Sequence, residues 1–315
     1  MMPLVLRGVV VSLTTFAIIY LFTSTAAVYF SRWLASDDER RLVSLYAWRT
    51  APLWVSFGTV LLFTIPGFFS FEPREQQEAI GWVAWSGSAA GAALLAIGFW
   101  RTLAACREAR SFQRQFFLQV TVTRTCEGAL IHVVRHETSA IMVLGLFRPI
   151  VLVSSAALEL LDEAELAAAV RHEIAHANTY DNLKKLVLGF CGFPGFQQLE
   201  KLWLQDAEIA ADSAATYDDA SALDLASAIL KMARFPTTLK QPRLSQALAS
   251  GSGAAITKRV ERLITYPRSS AVQGSADKRA IWGRICCVIL GIGFVALNYF
   301  SLLARAQELS ELLIK

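Results

Sequence analysis

The stretch Leu160-Leu-Asp-Glu-Ala-Glu-Leu-Ala-Ala-Ala-Val-Arg-His-Glu-Ile-Ala-His176 decides how the rest of the chain is read. Asp162 is a good helix N-cap, Glu165 three residues on can close a capping box, and Ala and Leu fill the turns that follow. The run therefore predicts a helix ending in His172-Glu173-Ile174-Ala175-His176. Residues four apart lie one above the other on a helix, so His172 and His176 point the same way and can hold one metal ion. Glu173 lies off that line, where it can reach a metal-bound water instead of the metal. The bland alternative is two surface histidines with no metal. Histidine is scarce, four in 315 residues, so coincidence is a weak rival, and a third ligand is the discriminator.

Leu202-Trp-Leu-Gln-Asp-Ala-Glu-Ile-Ala-Ala-Asp-Ser-Ala-Ala215 offers that ligand. It reads as a helix with Glu208 and Asp212 four apart on one face. Glu208 can complete a His₂Glu set that leaves the fourth zinc position for water. Asp212, one turn on, can accept the outer ring N–H of a ligating histidine and so fix its tautomer. Asp206, Asp218 and Asp219 read as solvated or capping residues. His132 and His136 fall in a strand-like region with no acidic partner at a useful spacing, and read as structural or surface residues.

Composition places this site at a membrane. The chain is 54% hydrophobic and only 18% charged, with a mean hydropathy of +0.42. Four charge-free stretches are long enough to cross a bilayer, Gly8 to Phe30, Ala51 to Phe71, Ala79 to Trp100 and Ile285 to Ala304. The first is too long for a signal-peptide core and reads as an uncleaved anchor. Arg32, Arg40, Arg41 and Arg49 follow the first span, Arg101, Arg107, Arg110 and Arg114 follow the third, and Arg268, Lys278, Arg279 and Arg284 precede the fourth. Basic residues favour the cytoplasmic side, so the N-terminus is expected outside, the central segment inside and the C-terminus outside. This bias accounts for the net charge of +4, and no nucleic-acid partner is expected. The absence of ionisable residues at mid-membrane depth argues against a transporter. An odd count of five cysteines, with no metal-knuckle spacing, points to reduced thiols.

Between spans three and four, Phe117 to Arg124, Ala129 to Arg135, Ala140 to Leu144 and Ile150 to Val153 are short β-branched or apolar runs, expected to form a small sheet. An extended peptide can add to the edge of such a sheet. Lys184 to Phe196 is apolar but too short to span, and reads as re-entrant, interfacial or core. Phe235 to Gly253 reads as a loop over the cleft, and Ala255 to Tyr266 as a basic helix. The expected fold class is an α+β membrane protein with four transmembrane helices and a mainly helical zincin domain holding a small antiparallel sheet. Its expected divisions are three spans in 1–105, a cytoplasmic domain in 106–280, and a fourth span with a short tail in 281–315.

With those residues in place, the chain resembles the membrane-embedded zinc metallopeptidases of the BlaR and MecR type, a gluzincin group, and more distantly the HtpX-like and CAAX prenyl endopeptidases. The resemblance rests on Gly145-Leu-Phe-Arg-Pro149, on His172-Glu-Ile-Ala-His176 with Asp181 five residues beyond, on Ala207-Glu-Ile-Ala-Ala-Asp212, and on three spans before the catalytic region and one after. It implies zinc held by His172, His176 and Glu208, Glu173 as general base, and Asp212 and Asp181 as residues that orient the ligating rings. It also implies an endopeptidase in a bacterial cell membrane, acting on protein or peptide substrates at the cytoplasmic face, with a small repressor as one such partner. The antibiotic sensors carry a penicillin-binding domain after the last span; here only a short tail follows, so beta-lactam sensing is not implied. Tyr180, Tyr217 and Arg259 stand as alternatives for steadying an oxyanion. A catalytically silent transducer and an HtpX-like quality-control protease remain the rival readings.

Overall fold

The computed structural model describes residues 4–31, 41–71, 80–117, 119–137, 139–235, 253–265 and 299–314, together with Leu244 and Leu248. Helix α1 (Leu4–Ser31) opens the chain, and α2 (Arg41–Thr59) continues through a π-helical turn (Val60–Thr64) into α3 (Ile65–Phe71). Helix α4 (Trp82–Phe117) is 36 residues long and runs through the boundary expected at 105 without a break. Three helical stretches, Leu4–Phe30, Leu45–Phe71 and Trp82–Phe116, are long and apolar enough to cross a membrane. Their outward side chains, Phe22, Leu61, Leu62, Ile97 and Phe99 among them, are apolar and exposed. A water-soluble bundle would turn such residues inward. The fourth expected span lies outside the described residues, apart from the start of α11 (Tyr299–Ile314). Of the cysteines, Cys106, Cys126 and Cys191 are free thiols, and Cys286 and Cys287 lie outside the described residues.

Two local devices hold the membrane helices. Pro66 has no N–H to give to the Leu62 carbonyl four residues back, and the π-turn sits there; the Tyr299 hydroxyl donates to that oxygen at 3.0 Å. Helices α1 and α4 approach closely because Gly91 has no side chain: a Cβ there would collide with the Leu13 carbonyl oxygen. Thr14 Oγ1 donates to the Ala84 carbonyl at 2.8 Å across the same contact.

The sheet contains β1 (Val120–Cys126), β2 (Ala129–Val134), β3 (Ile141–Leu144) and β4 (Ile150–Ser154), in the order β1-β2-β4-β3. It is mixed, which corrects the antiparallel expectation: β2 and β4 run parallel, while β1 and β3 are each antiparallel to their neighbours. The chain leaves β2, builds β3 at the far edge, and returns as β4 between them. Strands β3 and β4 are covered on both faces, which explains why Ile-Met-Val-Leu and Ile-Val-Leu-Val are unbroken apolar runs. One face packs on Ala168, Ala169 and Val170 of the central helix, and the other on Phe112 and Phe116 at the end of α4.

After β4 come α5 (Ser155–Leu160), α6 (Glu163–Asn178), α7 (Asp181–Phe190), α8 (Phe196–Ala215), α9 (Asp219–Arg234) and α10 (Gly253–Thr265). They fall into two groups. Helix α6 packs against the sheet and α9 through a core containing Val151, Val153, Leu225 and Ile229. Helices α7 and α8 instead seat on the membrane helices: Leu188, Phe196, Leu199 and Trp203 pack with Ala27 and Leu45, and Cys191 with Phe16, Tyr20 and Leu53. The Lys184 to Phe196 segment is thus α7 and the turn after it, laid against α1, α2 and α4.

Candidate metal centre

Helix α6 begins as its sequence requires. Asp162 accepts the Glu165 N–H at 2.9 Å and Glu165 Oε2 accepts the Asp162 N–H at 3.0 Å, closing the capping box. Lys231 (2.6 Å) and Ser227 (2.5 Å) of α9 hold the same Glu165 carboxylate. Burial pushes the Glu165 carboxyl up, but these donors outweigh it and leave it below its ordinary value. The register of α6 is therefore pinned at both its cap and its flank.

At the other end, His172 and His176 lie one turn apart with their rings edge to face, Nε2 to Nε2 at 3.1 Å. Glu208 on α8 completes the group, one oxygen turned to each ring: Oε2 lies 3.5 Å from His172 Nε2 and Oε1 lies 3.5 Å from His176 Nε2, and one ligand atom from each of the three residues lies within 4.8 Å of the others. Neighbouring donor atoms around a tetrahedral divalent ion lie about 3.3 Å apart, so a group of this size could hold a metal ion. The other ring nitrogens face carboxylates. Asp181 Oδ2 lies 2.7 Å from His176 Nδ1, and Asp212 Oδ1 lies 3.0 Å from His172 Nδ1, though off the hydrogen-bonding direction of that nitrogen. A ring whose Nδ1–H is committed to a carboxylate presents a lone pair at Nε2; Asp181 holds His176 in this way, and the Nε2 atoms of both rings face Glu208.

Electrostatics lead to the same conclusion. Burial pushes His176 down, against the pull of Asp181, and so favours the neutral ring. Burial also opposes charge on His172, but Asp212 and Glu208 outweigh it and raise that ring to about 9. Glu208, which burial alone would raise, is held down to about 2 by His172 and Arg259. The pocket thus favours positive charge between its donor atoms. Glu173 is 1% exposed, its Oε1 has no hydrogen-bond partner, and burial pushes its carboxyl up to about 8. An unpartnered buried carboxyl oxygen beside three converging donors fits a base aimed at a metal-held water.

Arg259, from α10, closes the wall. Its Nε and Nη2 bind Asp212 at 2.8 and 2.6 Å, its Nη1 lies 2.8 Å from Glu208 Oε2, and its Nη2 lies 3.5 Å from His172 Nε2. The guanidinium holds Asp212 well below the usual carboxylate range, although burial opposes this. Of the three alternatives for an oxyanion partner, Arg259 is the one in contact with the site's carboxylates among the described residues. Tyr180 is half exposed, and Tyr217 is 71% exposed with its ring over Arg171. His132 and His136 lie on and beside β2, away from the cluster. Asp218 caps α9 as expected.

Asp181 arrives by a tight turn. Tyr180 takes φ +55, a left-handed conformation that ends α6 and starts α7 at once, folding Asp181 back onto His176 five residues earlier. Residue reading alone missed Lys185, one turn beyond Asp181 on the same face. Burial pushes its ammonium down, against the pull of Glu208, Asp181 and Glu173. The spacing Asp181 to Lys185 was the available signal. It also missed Asn182, whose Nδ2 donates to the Val143 and Gly145 carbonyls at 3.2 and 3.1 Å along the free edge of β3. The next outward carbonyl on that edge, Ile141, accepts the Leu248 N–H at 3.2 Å. No protein-family model matches the chain and no curated protein matches it, so the site is read from its own residues.

Proposed function

We propose that the chain is an integral-membrane zinc endopeptidase that cleaves protein chains at the cytoplasmic face, a membrane-protein or repressor segment being the substrate type. One observation carries the reading: His172, His176 and Glu208 each bring a ligand atom within 4.8 Å of the other two, with Nε2 to Nε2 at 3.1 Å, next to Glu173, whose Oε1 is unpartnered. Zinc, when bound, supplies a water of near-neutral pKa and polarises the scissile carbonyl. Glu173 then takes the proton from the attacking water and passes it to the leaving amine, the task a buried carboxyl of raised pKa suits. Asp181 and Asp212 keep the two rings turned to Glu208. Arg259 meets the negative charge that develops on the carbonyl oxygen.

Leu248 supports a peptide as the substrate. Its N–H donates to Ile141 at the β3 edge and its carbonyl accepts from Arg259 Nη1 at 2.9 Å. One residue of main chain therefore already bridges strand edge and pocket, as an added substrate strand would. Basic residues clustered on the central segment favour its cytoplasmic placement. The resemblance to BlaR-type and HtpX-like peptidases agrees with this chemistry.

The test is Glu173→Gln in the full chain. Purified wild type and variant are expected to hold equal zinc by elemental analysis, while new N-termini generated in membranes by the wild type vanish with the variant. A general base contributes about 10²–10⁴ in rate. Identical new N-termini in both would defeat the assignment. The contact between Arg259 and Glu208 favours one second reading, a silent transducer whose carboxylate is neutralised by arginine alone. Wild-type protein that holds no zinc after metal-replete purification would select it.

A further inference from the structure

We propose that Arg49, on the second membrane helix, is a positioning residue for the metal centre, holding α7 and α8 so that Asp181 and Glu208 meet the α6 histidines. This rests on the metal-site reading above. Arg49 is 2% exposed. Its Nη2 donates to the Leu188 carbonyl at 2.9 Å, in the last turn of α7, and its guanidinium carbon lies 4.2 Å above the ring of Phe196, the first residue of α8. The end of a helix carries unpaired carbonyls and the negative end of the dipole, so a cation there is well placed. One side chain thereby grips the exit of α7 and the entry of α8, the two elements that carry Asp181 and Glu208.

The rest of the joint is equally close. Tyr20 of α1 donates its hydroxyl to the Gly192 carbonyl at 3.3 Å, and Gly98 of α4 lies against Phe190 so tightly that a Cβ would come within 2.9 Å of its carbonyl oxygen. Among the described residues Arg49 is poorly compensated for a buried cation: Nε and Nη1 make no hydrogen bond, and the carboxylate it pairs with, on Glu200, is 4.0 Å away. An apolar side chain of similar volume would be at least as stabilising in such a place. Orientation of the two helices is what the guanidinium adds. At 1.5 Å per residue, Leu188 is about 10 Å from Asp181 along α7, and Phe196 about 18 Å from Glu208 along α8. A tilt at the joint therefore moves both carboxylates relative to α6, which is held from the sheet side, and metal sites tolerate only about 0.2 Å in ligand distance.

The experiment measures zinc affinity by competition with a chromophoric chelator, using the full chain in lipid nanodiscs. Arg49→Met is expected to weaken zinc about 10-fold, the lower end of what residues orienting a ligand contribute. Arg49→Lys and Tyr20→Phe should give smaller losses. In an Asp181→Asn background the effect of Arg49→Met should shrink but not vanish, because the route through α7 is already broken while that through α8 to Glu208 remains. Thr14→Val, which loosens the α1–α4 contact away from the joint, should leave zinc affinity unchanged even where it lowers Tm. Wild-type affinity in folded Arg49→Met, or its full effect persisting with Asp181→Asn, overturns the proposal. Should Arg49→Met fail to fold, unchanged affinity in both Arg49→Lys and Tyr20→Phe overturns it. A wild type that binds no zinc defeats the metal reading and the joint together, whereas a zinc-binding wild type indifferent to Arg49 defeats the joint alone.

Discussion

The two halves of the candidate metal centre are built by different physics. His172, Glu173 and His176 come from one helix whose register is set by its own cap and by burial against a sheet and α9. Glu208 and Asp181 come from helices seated on α1, α2 and α4, where clusters of large apolar side chains and one buried arginine make the contacts. The first half would keep its geometry on any scaffold that keeps the helix. The second depends on how two helices lie on a membrane bundle, so it is the half through which the bilayer can influence the chemistry.

That contrast can be broken in order of expected effect. Glu208→Ala removes the one ligand supplied by the membrane-seated half and should take zinc from one equivalent to near zero after dialysis; retention of a full equivalent would mean this group is not the site. Ile229→Ala, in the core beneath α6 and 0% exposed, should cost about 2–5 kcal/mol in denaturant unfolding, yet leave zinc affinity unchanged well below the transition. Loss of zinc affinity in step with stability would show that the sheet half is not independently rigid. Asp181→Asn should weaken zinc about 10–100-fold with little change in unfolding midpoint, read by the same chelator competition.

The smallest effect is a pH dependence confined to the sheet half. Glu165 is held below its ordinary value in the folded chain by Lys231, Ser227 and the Asp162 N–H, despite burial. A carboxyl with a depressed folded pKa stabilises above its unfolded pKa and loses that contribution as pH falls through the folded value. Wild type should therefore lose about 1 kcal/mol more than Glu165→Gln on acidification below about pH 4.5. Parallel unfolding curves for the two from pH 6 to pH 3 would remove Glu165 from the account of α6.

The parts that residue reading recovered are those that span a few residues. The capping box of Asp162 and Glu165, the one-turn spacing of His172 and His176, the paired carboxylates of Glu208 and Asp212, and four strand segments close to their true bounds all follow from local periodicity. The mixed sheet escaped it because the short link between β2 and β3 reads like a hairpin, and only packing on both faces of β3 and β4 places β4 between its neighbours. Lys185 and Asn182 escaped because nothing in Asp181-Asn-Leu-Lys-Lys185 says which face of α7 turns inward until Tyr180 bends the chain back. Arg259 stood level with two tyrosines until α10 was seen to carry it onto Asp212 and Glu208.

Residue order alone establishes that this chain makes apolar helices long enough for a bilayer and a helix with two histidines and a glutamate poised for a metal, because hydropathy and the 3.6-residue repeat act within one turn or one span. Whether Glu208 lies 3.5 Å from both rings, whether Asp181 reaches His176, and what buttresses them from the membrane were decided only by folding, because the first and last join residues tens to more than a hundred positions apart through the packing of whole helices, and the second needs the turn at Tyr180 that folds α7 back on α6.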